Sequence, residues 1–430
     1  LHQFFCVRLG SLLLDEYLKW YFIYIFRKNI MSLLTIEEPV QADHQPLWRD
    51  THPVWALGFR PFYILAAALS VLAVPLWLAR YMGWLQGMAN VTLGWHMHEM
   101  VFGFAIAVIV GFLFTAARNW TGLPTPRGRH LAVLVLVWLA GRVAMLAAPP
   151  LWGALVDLLF LPLAAWPLYR VIRQSGNTRN LFLVVLLGLL TLANALFHAA
   201  GLGWVALSPA TPVHAAILVI VIIESVIGGR VIPMFTTNGA PGVKPVVRPR
   251  HDQIALGIVA TASLAWVFGA PGPLSAALCM LAACALLLRL AGWKSHRTLH
   301  VPLLWILHLS YAWIPIGFVL LALAALGLGA ASTAFHAMAV GSMAGLIIGM
   351  MTRTTLGHTG RVLKAGRVEP VMYALIQLGA LTRVLAAFVP MAWRNAALLV
   401  SGLCWCAAFV LFLVAYTPYL LKPRLDGKQG

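Results

Sequence analysis

Runs of about 17 to 25 apolar residues, long enough for a helix to cross the hydrocarbon of a bilayer, recur along this chain from residue 62 to residue 420. In lipid every backbone N–H and C=O must be satisfied within the protein, so runs of this length and frequency become helices. Twelve are found, beginning near residues 62, 95, 131, 151, 181, 211, 254, 273, 301, 332, 371 and 395. The fold class expected is an all-α polytopic membrane protein with about twelve transmembrane helices. Composition excludes the soluble alternative, since 61% of the 430 residues are hydrophobic and only 10% charged, with a mean hydropathy of +0.87.

The net charge of +18, from 30 Lys plus Arg against 12 Asp plus Glu, would point to nucleic acid if it were gathered in one patch. It is spread over alternate connections. Basic residues fall in the N-terminal region, after the second, fourth, sixth, eighth and tenth runs, and in the tail; Arg80 and Arg394 stand on the other side, and Arg142 and Arg383 lie inside runs. Positive charge marks the cytoplasm, so both termini are expected there and the second run descends from the outer face. The charge is thus explained without a nucleic-acid partner. The five cysteines form no C-x-x-C pair and mostly lie within apolar runs, which argues against disulfides and zinc.

The organisation that follows is a twelve-helix domain over residues 62–420, with a cytoplasmic segment at 31–61 and a cytoplasmic tail at 421–430. Residues 1–30 fit less well. Their "LLLDEYLKWYFIYIFRK" is too short and too charged to span, and two readings stand: an over-extended gene start ahead of Met31, or a membrane-surface amphipathic helix.

Topology gives each of the 14 histidines a depth. His44, His52, His130, His251, His296 and His358 lie in loops or near the cytoplasm, where a solvated imidazole is ordinary. Five others share the opposite level: His96 and His98 open the second run, His198 ends the fifth, His214 opens the sixth and His336 opens the tenth. All stand within roughly 4 residues, or about 6 Å, of the outer boundary. One such histidine is usually a polar tip reaching headgroups. Five from four helices point to a shared metal or cofactor layer, because ionisable groups in spans face the bundle interior; the alternative is five independent interfacial side chains.

The second, sixth and tenth runs also resemble one another. Each opens with His and closes on Arg with hydroxyl or amide residues, as "TAARNWTG", "GGRVIPMFTTNG" and "MMTRTTLGHTGR", and the opening histidines lie 118 and 122 residues apart. Arg142 follows His96 by 46 residues and Arg383 follows His336 by 47, while the middle segment, "SLAWVFGAPG", has no such arginine. Three repeats of four helices in one orientation are expected.

"FRPFY" at the first run, "WHMHEMVFGFAIAVIVGFLFTAARNWTG", "GGRVIPMFTTNGAPG" and "MMTRTTLGHTGR" together closely resemble NnrS proteins, from about Leu47 to the last run. The resemblance implies a bacterial cytoplasmic-membrane protein containing haem and copper, associated with nitric oxide metabolism and protection against nitrosative stress. It does not imply a settled chemical activity. The twelve helices also look similar to the catalytic subunit of haem-copper oxidases and nitric oxide reductases, where a His-x-His serves two haems. Here the His-x-His lies in the second run instead of the tenth, the seventh has no adjacent histidine pair, and "HAAILVIVIIES" lacks the His-Pro-Glu pattern, so the likeness is architectural.

Helix geometry bears on the metals. Successive residues turn by about 100°, so His96 and His98 diverge by roughly 200° and serve two different partners. Axial ligation of a haem, b-type in expectation, needs one imidazole nitrogen and one line of approach; copper also suits imidazole, with thioethers as softer helpers. Of Met338, Met343, Met350 and Met351, only Met338 is taken as a candidate beyond ordinary packing. His96, His98, His214 and His336 are the expected cofactor ligands and His198 a further metal candidate. Gly341, Gly345 and Gly349 make a smooth face for a helix or for a porphyrin. Arg142 and Arg383 either clamp haem propionates or reach for the outer surface. Glu99, beside the histidines, and Glu224, about 15 Å deeper than His214, are proton-transfer candidates. Asp157 inside the fourth run is either functional or paired with a neighbouring hydroxyl.

Two functions follow. One is a haem and copper protein that binds nitric oxide or turns it over by redox chemistry at an outer-side centre, like a nitric oxide reductase. The other is a transporter with an outer histidine-lined site, since parallel repeats with polar residues at helix breaks occur there too. A histidine layer near one surface instead of at the midplane favours the first.

Overall fold

The computed structural model describes residues 46–428; the two readings of residues 1–30 lie outside the described residues. Twelve long helical rods form among the described residues. They are α1 (Phe59–Tyr81), α2 (Leu93–Thr121), α3 (Gly128–Ala147), α4 (Pro150–Gln174), α5 (Leu181–Gly201), α6 (Ala210–Gly239), α7 (Pro249–Val267), α8 (Gly272–Gly292), α9 (Pro302–Ala325), α10 (Ala331–His358), α11 (Val368–Leu385) and α12 (Met391–Leu421). Eleven are long and apolar enough to cross a membrane. The exception is α7, whose first turn, "PRHDQ", replaces apolar residues with polar ones.

The histidine-opened helices stand at the centre. Of the most apolar stretch in each helix, 83% is buried in α2, 78% in α10, 67% in their neighbour α9 and 61% in α6, against 33% in α1 and α3. A helix wrapped by protein on most sides has little lipid to face, so its polar groups meet other helices. At the opposite end, the buried Arg60 of "FRPFY" donates to the carbonyls of Leu420 at 2.9 Å and Lys422 at 2.8 Å. A guanidinium thereby satisfies carbonyls that the end of α12 leaves unpaired, and fixes the start of α1 beside it. Arg424 of the tail donates to the His358 carbonyl at 3.0 Å, closing the end of α10 in the same way.

Two helices are broken at the same place. In α2 a π-helical stretch, Glu99–Ala105, follows directly after His98; in α10 another, Ala337–Ala344, follows directly after His336. Wide turns of this kind loosen the ladder and let side chains re-aim, which is why they gather at functional sites. Trp138 of α3 donates its indole N–H to the Gly103 carbonyl at 3.2 Å within the first stretch. The breaks put His98, and not His96, in the position of His336, two residues off the register read from the arginine spacing. The helix α6 is unbroken. A threefold repeat does not follow from these features.

The glycine face of α10 lies against protein. A Cβ at Gly341 would strike the Trp313 ring, one at Gly345 would strike Ser310, and one at Gly349 would come within 2.9 Å of Leu307, all residues of α9. Close helix contact accounts for the spacing.

Candidate functional site

His96 of α2, His214 of α6 and His336 of α10 line one cavity of about 480 Å³, joined by Arg383 from α11. That volume lies within the range of about 300 to 1,000 Å³ common to small-molecule and cofactor sites. The remaining wall is apolar and aromatic, with Trp77 and Tyr81 from α1, Phe335 from α10 and Trp405 from α12. His96 stacks on Trp77, with ring centres 5.2 Å apart and planes 11° from parallel, and His214 stacks on Phe335 at 3.8 Å and 5°. His96 Nδ1 is buried and makes no hydrogen bond among the described residues. His336 Nδ1 lies 2.6 Å from the Ser332 carbonyl; an oxygen only accepts, so Nδ1 carries the proton and Nε2 keeps its lone pair. Arg383 Nη2 is 3.2 Å from the same Nδ1, where two donors meet, so the Ser332 carbonyl and not Arg383 is the partner of that N–H.

His98 leaves this cavity. Its ring is fully buried, with Nδ1 3.1 Å from Glu99 Oε1 and Nε2 3.1 Å from Asp157 Oδ2 and 3.0 Å from Asn194 Oδ1. His198 Nε2 lies 3.0 Å from Asp157 Oδ2, and Asn194 Nδ2 donates to the same oxygen at 2.7 Å. Arg142 Nη1 donates to both Glu99 oxygens at 3.0 Å, and its Nη2 pairs with Asp157 Oδ1. This is a closed ion cluster drawn from α2, α3, α4 and α5. Local backbone makes it possible: Asp157 ends the first half of α4, which breaks at Leu158 and Leu159, and Gly141 lets the Asp157 backbone approach α3, since a Cβ there would sit 3.3 Å from the Asp157 Cα. Gly103 does the same for the guanidinium, its Cβ position lying 2.7 Å from Arg142 Nη1.

Glu224 stands apart. It accepts a hydrogen bond from Ser342 Oγ at 2.7 Å and lines an apolar cavity of about 100 Å³ bounded by α1, α2, α6, α9 and α10. Met343 borders both this cavity and the histidine cavity.

The family profile described as NnrS protein matches residues 53–424, nearly the whole chain. The chain belongs to the NnrS family. No curated protein matches it. Membership of the NnrS family suggests involvement in the nitric oxide response. It covers all twelve helices except the last residues' tail, so both polar groups just described lie inside the NnrS region.

The five histidines read from the sequence of this NnrS-family protein divide into two groups. His96, His214 and His336 meet at the cavity; His98 and His198 meet at the cluster, with ring centres 5.1 Å apart. The two arginines divide likewise. Arg383 reaches the cavity, whereas Arg142 is paired to two protein carboxylates, which displaces the expectation that it clamps a propionate or reaches the surface. Asp157 pairs with a cation, two imidazoles and an amide, and not with a hydroxyl. Met338 is packed against Gly317 of α9 and does not border the cavity, while Met343 does, reversing the expected order of the methionines. Sequence reasoning missed Asn194. Its signal was an amide in an apolar run one helical turn before His198, on the same face.

Proposed function

We propose that this protein is a haem- and copper-containing multi-pass protein of the bacterial inner membrane, with both termini cytoplasmic, that binds or turns over nitric oxide and so protects against nitrosative stress. The observation that carries the reading is the buried, unpartnered Nδ1 of His96 on a cavity shared with His214, His336 and Arg383. A buried polar atom without a hydrogen bond is costly, and an imidazole in that state is a ligand in want of a Lewis acid. Three imidazoles from three helices, an apolar aromatic wall and one guanidinium fit a haem. Two of the three imidazoles would hold the iron, Trp77, Phe335 and Trp405 would enclose the porphyrin, and Arg383 would pair with a propionate. The Ser332 carbonyl orients His336 by accepting a hydrogen bond from its Nδ1–H, the usual way a protein fixes which imidazole nitrogen meets a metal.

Bound there, haem iron supplies reversible coordination of nitric oxide and one-electron chemistry. Family membership supports the nitric oxide assignment, and the charge asymmetry of the connections supports the orientation. The Ser342–Glu224 hydrogen bond beside the small apolar cavity supports Glu224 as the group that moves protons toward the site, while Glu99 is paired to Arg142.

The test is the absorption spectrum of the full chain purified after expression with haem available. A Soret band is expected, and His96→Ala should lower haem content or convert the spectrum from low spin to high spin. A wild-type protein with neither Soret band nor copper would overturn the reading in favour of a transporter.

A further inference from the structure

We infer that the cavity bounded by α6, α7 and α8, at the end of the bundle away from the histidines, binds the phosphate group of an anionic membrane lipid. The cavity measures about 670 Å³, more than the histidine cavity, and Arg179, Arg230, Arg289 and Asp252 line it together with apolar residues. Arg230 stands 16 residues beyond His214 on α6, about 24 Å at 1.5 Å per residue. The inference is therefore independent of the haem reading.

Arg289 of α8 shows that the cavity is built and not a gap between surface side chains. It is only 5% exposed. Its Nε donates to Asp252 Oδ1 at 2.8 Å, and its Nη1 donates to the Ser225 carbonyl at 2.6 Å and to the Tyr311 hydroxyl at 3.0 Å. Nη2 makes no hydrogen bond among the described residues, and it fills the place that a Cβ on Gly229 would take. The "GGR" near the end of α6 thus gives up one side chain to admit a guanidinium and adds another, Arg230, beside it. An arginine at a membrane boundary ordinarily reaches out to water; Arg289 is too deep for that.

Charge selects an anion. Arg230 donates to the amide oxygen of Asn180 at 3.0 Å, and neither it nor Arg179 pairs with a carboxylate among the described residues. Three guanidiniums against Asp252 leave two positive charges on the wall, and the guanidinium fork suits phosphate. The polar first turn of α7, which sets this helix apart from the other eleven, is part of the same wall through Pro249, Asp252 and Gln253; it starts without a side-chain cap, so the positive end of its dipole adds to the field. A lipid supplies the phosphate. Met234 and Val247, 49% and 43% exposed, line the cavity beside the arginines and offer apolar surface to an acyl chain. Lys244, Arg248 and Arg250, all exposed in the connection to α7 and its first turn, draw anionic headgroups to it.

The experiment titrates cardiolipin, phosphatidylglycerol, phosphatidylcholine and inorganic phosphate, each alone, into the delipidated full chain in a non-ionic detergent. Bound phospholipid per chain is counted by native mass spectrometry, and the thermal unfolding midpoint is read alongside. One anionic lipid per chain is expected to bind, about tenfold more tightly than phosphatidylcholine, and to raise the midpoint. Arg179→Gln and Arg230→Gln should each weaken that binding about fivefold. Gly229→Ala, which drives Arg289 from its place, should weaken it at least as far. Lys364→Gln, which removes an exposed charge between α10 and α11, should leave it unchanged. If Gly229→Ala fails to fold, the two arginine variants carry the test. Equal weakening in Lys364→Gln and Arg230→Gln would overturn the site in favour of a diffuse basic surface, and so would phosphatidylcholine bound as tightly as phosphatidylglycerol. A midpoint raised by inorganic phosphate and by neither anionic lipid would overturn the lipid as the source of the phosphate.

Discussion

His96 and His98 are two residues apart on one helix and live in different chemical worlds. His98 has both ring nitrogens within 3.1 Å of oxygen acceptors and is wholly buried. His96 has a buried nitrogen with no partner and is held by the face of Trp77. The half-turn between them sends one ring toward α6 and α10 and the other toward α4 and α5. Hydrogen bonding fixes the second; only packing fixes the first. A ring held by packing alone can accept a new bond without breaking an old one, whereas one hydrogen-bonded on both nitrogens must break a bond to make another.

The sharpest way to break this comparison is to remove one arginine from each region. Arg142→Ala would leave Glu99 and Asp157 buried with their shared cation gone, and breaking a buried pair in this way costs about 3 to 5 kcal/mol. The variant should unfold at markedly lower denaturant and reach the membrane in reduced amount. Arg383→Ala removes a half-buried guanidinium that pairs with no carboxylate among the described residues, and should cost less than about 1 kcal/mol, because it leaves no buried charge without its partner. Equal losses in the two variants would show that the regions do not differ as described.

A middle-sized effect is expected at Gly103, whose missing side chain makes room for the Arg142 guanidinium, 2.7 Å from the ideal Cβ position, and for Glu99 Oε2 at 2.9 Å. Gly103→Ala should push the guanidinium off the carboxylates and cost about 1 to 3 kcal/mol, the usual range for overfilling a packed interior. Haem content should survive, because nothing on the cavity wall moves. Loss of the Soret band in this variant would show that cluster and cavity are one coupled unit.

Much of this arrangement was legible in the apolar runs. Each of the twelve became a helix, and the histidines counted from run ends are the ones that meet, in two groups, at the cavity and the cluster. What helix periodicity cannot give is the neighbour. It says that His96 and His98 diverge, but not that Asp157 of α4 stands opposite His98, because α4 breaks at Leu158 and Leu159 and presents its carboxylate sideways. The π-helical stretches were equally invisible: Glu99–Ala105 and Ala337–Ala344 contain nothing that forbids an ordinary helix, and packing against α3 and α9 decides them. Arg142 and Arg383 looked equivalent by spacing; their partners differ because an acidic residue faces one and a cavity faces the other.

The smallest expected effect tests what holds His96. If stacking alone orients the ring, Trp77→Leu should free it while leaving the helix bundle almost as stable, since an aromatic pair of this kind contributes about 0.5 to 1.5 kcal/mol beyond its buried area. The expected signature is spectroscopic: a broadened or shifted low-spin haem signal in electron paramagnetic resonance, reflecting a range of imidazole orientations. Trp77→Phe keeps an aromatic ring beside the same imidazole and should retain most of the wild-type signal. On the other side, His98 also has aromatic neighbours, Phe102 and Phe197 at 5.2 and 5.0 Å, yet Phe197→Leu should leave the haem signal unchanged, because the hydrogen bonds of both His98 nitrogens still set that ring. A Trp77→Leu protein with a sharp, unshifted haem signal would mean that His96 is oriented by a bond to a partner on its other nitrogen, and the contrast between a packed ligand and a hydrogen-bonded one would then disappear.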